Sequence, residues 1–192
     1  MRIQELESGH IPGVVSLLSL TMPWAPTTEQ DLVERSKHCP DGQCAVVDQL
    51  GRVIGYGFIL RLKAGGVVGE WYEDTGHGIG ETHREHGNTA YAASTAWDQA
   101  FPMTVRALTK WFRNRAEQWR VKQVMGFSRI PSLIGYDEIL RPGDVHDLVL
   151  EGQDPLTRLY WNLGFEPALP QPNYSKLDRE SAGFGMMMVS SV

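Results

Sequence analysis

The first seven residues, "MRIQELE", alternate apolar and polar positions and predict a strand. "HIPGVVSLLSL" then repeats its apolar residues at helical spacing, with Ser8 placed as a cap. "TTEQDLVERSKH" opens on Thr27 or Thr28 and carries acids in its first turn, which predicts a second helix. Two apolar runs flank "DQLGR" between Gln43 and Lys63 and predict a hairpin. A glycine-rich stretch, "AGGVVGEWYEDTGHGIGETHREHGN", shows no period and reads as a long irregular loop of the functional kind. "TAYAASTAW" predicts a strand of small residues, and "TVRALTKWFRNRAEQWR" the longest helix, apolar at Val105, Leu108, Trp111, Phe112 and Trp119. "VKQVMGF" predicts a further strand. The segment "SRIPSLIGYDEILRPGDVHDLVLEGQ" reads as a second long loop with a helical turn near Tyr136 to Leu140. "DPLTRLYWNLGF" predicts a short helix stopped by Gly164, and "GFGMMMVSS" a closing strand.

Strands and helices in this alternation predict an open mixed sheet with helices on both faces. At 192 residues and 42% hydrophobic content the chain can bury a real core, and residues 1–192 are expected to form one domain. A net charge of −5 argues against nucleic acid as a partner. The basic run "RNRAEQWRVK" reads as the solvated face of a helix. No run reaches the roughly 20 apolar residues of a membrane span, and the N-terminus has no apolar signal core. Cys39 and Cys44 read as ordinary reduced thiols, so the expected compartment is the cytoplasm.

The joint between the small-residue strand and the long helix is the first candidate for chemistry. A helix N-terminus attracts anions. Loops that hold a pyrophosphate there usually contain glycines, and "QAFPMT" contains none.

Three stretches resemble the GNAT family, the GCN5-related N-acetyltransferases. They are the hairpin "CAVVDQLGRVIGYGFIL", the segment "DPLTRLYWNLGFEP" with Leu159, Tyr160, Gly164 and Phe165 in place, and the strand–helix joint. The tail, "GFSRIPSL" and "PNYSKLDRESAGFGMMM", is similar to the acetyltransferase-like domain that precedes some carbon–nitrogen hydrolases. The resemblance implies an α/β, mostly antiparallel sheet of about seven strands with one parallel pair splayed around a cleft. It also implies transfer of an acyl group from acyl-CoA, or from a pantetheine thioester on an acyl carrier protein, to an amine of a small molecule or peptide. The alternative is a GNAT-fold protein that binds a ligand or partner, or runs another reaction in the same cleft. A homodimer is left open.

The family's R-G-x-G-x-G run falls on Phe101 to Arg106, where every glycine and the leading basic residue are replaced. Cofactor contacts are then expected from Trp97, from Met103, Thr104, Val105, Arg106 and Ala107 at the helix start, and from Asp154 and Thr157. Asp154 before Pro155 reads better as a helix cap, with proline at the first helical position. Tyr160 is implied as the acid that protonates the leaving thiolate, or is a core tyrosine. The strand before the loop offers no acid, so the amine's base is sought at Glu70 or Glu73. Arg129 reads as a carboxylate or phosphate binder, or as the partner of a nearby acid. Trp24, Trp71 and Trp97 read as pocket walls. His83 and His86 lie three apart without further ligands, so no metal is expected.

Overall fold

The computed structural model describes residues 1–63, 66–67, 69–134 and 140–192. The helical turn expected near Tyr136 to Leu140 falls largely outside the described residues. The elements run β1 (Arg2–Glu5), α1 (Ile11–Thr21), α2 (Glu29–His38), β2 (Gln43–Val47), β3 (Val53–Leu62), α3 (Trp71–Asp74), β4 (Thr89–Trp97), α4 (Met103–Gln118), β5 (Gln123–Arg129), α5 (Pro142–Leu150), α6 (Pro155–Asn162), β6 (Glu166–Gln171) and β7 (Gly185–Ser191).

The seven strands form one sheet in the order β1-β2-β3-β4-β5-β7-β6. Every pairing is antiparallel except β4 with β5. That parallel pair is matched at Ala90–Val124, Tyr91–Met125 and Ala92–Gly126 and no further, so the strands part beyond Ala92 and Gly126. The register of β4 against β3 also slips opposite Phe58 and Ile59, stepping from Ser94 to Ala92, which makes Ala93 a bulge. A bulge bends its strand, and this one turns β4 away from β5.

One core packs α4, α5 and α6 against the sheet through Leu108, Phe112, Val145, Val149, Phe165 and Met188. The other packs α1 and α2 through Val14, Leu18 and Leu32 onto Tyr56, Phe58 and Leu60. Gly55 and Gly57 of β3 admit α4 at close range: a Cβ on Gly55 would run into Thr104, and one on Gly57 would stand 3.2 Å from both Leu108 and Phe112. Cys39 and Cys44 are buried free thiols, and burial pushes Cys39 up to about 12.

Several local expectations are corrected. Ser8 does not cap α1; it begins a 3₁₀ turn, Ser8–His10, whose His10 ring accepts from the Glu7 amide at 3.1 Å. Thr28 caps α2 in a reciprocal box with Asp31. The glycine-rich loop holds α3 and a further helical turn at Gly76–Gly80. The second loop holds the whole of α5.

Candidate active site

Where β4 and β5 part, a cleft of about 1180 Å³ opens. Its walls come from both faces of the sheet. Leu17, Leu20 and Trp24 follow from α1, Ala92 to Gln99 from β4 and its turn, and Phe127 to Arg129 from β5. Leu156, Leu159 and Tyr160 come from α6, and Tyr174 with Leu177 to Glu180 from the connection between β6 and β7.

Tyr160 stands at the parting of the strands. Thr95 lines the same cleft. Burial pushes the phenol up to about 12, and the neighbouring Thr95 hydroxyl pulls the other way. Tyr160 therefore stays neutral and donor-capable across the physiological range. Behind it, a chamber of about 30 Å³ is lined by Thr95, Thr109, Phe112, Phe165 and Met188.

On the other face, Arg129 at the end of β5 grips Asp178 with two bonds, Nε to Oδ2 at 2.6 Å and Nη2 to Oδ1 at 2.7 Å. Its Nη2 also donates to Glu180 at 2.7 Å. Burial works against the guanidinium charge, but the two carboxylates outweigh it and hold its pKa above the ordinary value. Arg129 further stacks over Trp24 at 5.7 Å. The Trp24 indole N–H is buried without a hydrogen-bond partner among the described residues. The charged groups in the cleft walls are Arg129 and Arg179 against Asp98, Asp178 and Glu180: two minus three, a formal −1.

The structure brings Tyr160, Trp24, Trp97 and Arg129 to one cleft and leaves the other candidates outside it. Glu70 faces Lys176 at 3.7 Å and Glu73 is exposed, and neither lines the cleft. Trp71 lies behind the wall, its indole N–H donating to the Ala93 carbonyl at 2.7 Å. Asp154 is wholly buried as the cap of α6, accepting from the amides of Leu156, Thr157 and Ser132 and from the Ser132 hydroxyl. The Thr157 hydroxyl turns back to the Asp154 carbonyl at 3.1 Å. Thr104 and Val105 are buried under β3, while Met103 and Arg106 point to solvent and Ala107 is half-buried. Thr95, Asp178 and Glu180 went unnoticed in the sequence. Thr95 hides in a run of small residues, and "LDRES" has no period that would place it beside β5.

Three amides of the turn between β4 and α4 are engaged within it. Ala100 N–H donates to Asp98 Oδ1 at 2.9 Å, Phe101 N–H to the Asp98 carbonyl at 2.9 Å and Thr104 N–H to the Phe101 carbonyl at 2.9 Å. Pro102 has no N–H. Phe101 folds inward onto the core that contains Leu108. The amides of Ala100, Phe101 and Thr104 are thereby not available to a pyrophosphate, and Pro102 has none to give. Among the described residues, no group of three or more His, Cys, Asp and Glu is arranged to hold a metal ion, and no helix is long and apolar enough to cross a membrane.

No protein-family model matches the sequence, and no curated protein matches it. Solved structures do match over the whole chain. The loading GNATL domain of CurA from Lyngbya majuscula superposes with a TM-score of 0.81 at 15% identity, over 99% of this chain and 96% of that one. The GphF GNAT-like decarboxylase in complex with isobutyryl-CoA gives 0.79 at 15% identity, over 100% and 99%. A GNAT superfamily phosphinothricin acetyltransferase from Sinorhizobium meliloti in complex with AcCoA gives 0.60 at 14% identity, over 100% and 88%. The splayed β4–β5 pair, the bulge beside it and these superpositions lead to one conclusion about architecture: the chain has the GNAT fold.

Proposed function

We propose that the protein is an acyltransferase that receives a thioester by its pantetheine arm between β4 and β5 and passes the acyl group to an amine. The observation that carries this reading is the neutral Tyr160 phenol, with Thr95 beside it, in a cleft whose formal charge is negative. An ammonium-bearing acceptor is drawn to the net negative charge of the cleft. Once it has given one proton to solvent water, its nitrogen bonds the carbonyl carbon, the C–S bond breaks, and a second nitrogen proton leaves to water as the amide forms. The thiolate left behind needs a hydrogen-bond donor. A phenol near 12 hands a proton to a thiolate near 8.5 only uphill, by roughly 5 kcal/mol over about 3.5 units. Tyr160 is therefore read as a hydrogen-bond donor to the sulfur or carbonyl oxygen, in place of the full proton donor expected from the sequence. The donor thioester is read as acyl-pantetheine on a carrier protein in preference to intact acyl-CoA, because three of the turn's amides are engaged within it, Pro102 has none and Phe101 folds inward onto the core. A single domain over 1–192 and a reducing, cytoplasmic compartment belong to the same proposal.

A second reading is loss of CO2 from a carboxyacyl thioester. It is favoured by the engagement of both Asp178 and Glu180 with Arg129, which leaves neither as an obvious base. Decarboxylation needs no base for an amine and leaves the C–S bond intact. One experiment separates the two. Acyl and carboxyacyl thioesters of CoA and of pantetheine are incubated with and without amines, and free thiol and CO2 are both followed. Amine-dependent thiol release supports transfer, CO2 without thiol release supports decarboxylation, and neither product sinks both.

A further inference from the structure

The bulge in β4 has a partner from elsewhere in the chain. Ala93, the extra residue, is 4% exposed, and its carbonyl accepts the Trp71 indole N–H at 2.7 Å. Trp71 opens α3, and its own amide donates to the carbonyl of Tyr174, a cleft residue, at 2.9 Å. Its ring meets Trp24 edge-on, with centroids 6.0 Å apart and planes at 81°. Behind it lies Gly78 at φ +83°, where a Cβ would stand 3.1 Å from the indole. The Gly78 carbonyl is held in turn by the buried Arg35 guanidinium, Nε to O at 2.6 Å. The indole is thus clamped between a wall of the cleft and a loop that glycine allows to close on it. Residues Ala93 to Trp97 all line the cleft, and Thr95 among them lines, together with Tyr160, the small chamber behind it.

We infer that Trp71 is a positioning residue: by fixing the Ala93 carbonyl it sets the direction in which β4 leaves the bulge, and so where Thr95 meets Tyr160. The inference rests on the thioester reading of the cleft. A bulged residue is outside the ladder and has few restraints of its own. Losing the indole's bond lets that stretch swing, and a displacement of about 1 Å at reacting groups costs on the order of a hundredfold in rate. A tryptophan that merely fills space would act on stability and leave the chemistry alone.

The test replaces Trp71 with benzothienylalanine, in which sulfur stands where the N–H was, alongside Trp71→Phe. The sulfur analogue keeps the ring's shape, so the question survives if Trp71→Phe fails to fold. Amide hydrogen exchange over residues 93–97, affinity for an acyl-pantetheine thioester, and turnover are compared with the unaltered protein. The expected result is faster exchange confined to 93–97, unchanged thioester affinity, and turnover lower by about 10- to 100-fold. Unchanged exchange at 93–97 overturns the inference, and so does faster exchange with undiminished turnover. If the unaltered protein processes no thioester at all, the functional reading falls on that result, and the exchange comparison alone decides whether Trp71 sets the bulge.

Discussion

Tyr160 shows how far a single residue can be read before its surroundings are known. "LYWNLGF" places it on a helix that stops at Gly164, and Gly164 indeed has φ +83°. The sequence could not give the hydroxyl's neighbour, because Thr95 is 65 positions away by the numbering, on a different element. The pair makes a sharp prediction. Tyr160→Phe removes a donor aimed at the reacting centre and is expected to lower turnover by about 10²-fold, with little change in melting temperature. A large fall in melting temperature with intact turnover would make Tyr160 a packing residue. The pH dependence follows from the raised phenol. Its folded value, about 12, lies above the ordinary 10, so the neutral form is fully present below pH 10 and is lost only as pH rises through about 12. The rate is therefore expected to show no falling limb from this group up to about pH 10, which a pH–rate profile of wild type against Tyr160→Phe would reveal.

Elements were legible in proportion to their length and period. The hairpin, α2 with its Thr28 cap, β4 and α4 stand where their patterns put them. α3, with four residues, is too short to show a period, and α5 begins on "RPGD", whose Pro–Gly pair reads as a turn. At α6 the cap explains Asp154 completely. Asp154→Ala strands three amides and a hydroxyl in a buried place and is expected to cost about 2–3 kcal/mol, measured by denaturant unfolding, while thioester affinity stays the same. Weakened thioester binding at unchanged stability would return Asp154 to the ligand. At the α4 turn the same accounting predicts that intact CoA gains nothing over pantetheine. Calorimetric titrations should give the two thioesters similar affinities, whereas markedly tighter CoA binding would show that phosphate finds donors here after all.

At the scale of the molecule, element order anticipates a mixed sheet, and the resemblance of "LYWNLGF" to the GNAT family supplies the one parallel pair. Which acids gather beside that pair was not legible, since Asp178 and Glu180 lie in an aperiodic connection folded across the end of β5. Together with Asp98 they outnumber the two arginines and give the cleft its negative sign. Amine acceptors are expected to show a KM that rises with salt, because the attraction is screened within a Debye length of about 10 Å at 0.1 M. An acceptor KM indifferent to ionic strength would tell against the electrostatic account.

The sheet's rim and its interior differ in what they offer a passing chain. At one edge β1 is four residues long, and at the other β6 carries Pro167 and Pro170, which have no N–H to give. Inside, β4 and β5 stop pairing after Ala92 and Gly126, leaving a seam with backbone on both sides. A molecule with amides of its own can be received in that seam as a short extra strand would be, and the pantetheine arm is such a molecule. Selection then acts on the arm as well as on the acyl group it carries. Simple alkyl thioesters bearing the same acyl group are expected to bind more weakly by about 0.5–1.5 kcal/mol for each amide hydrogen bond they cannot make.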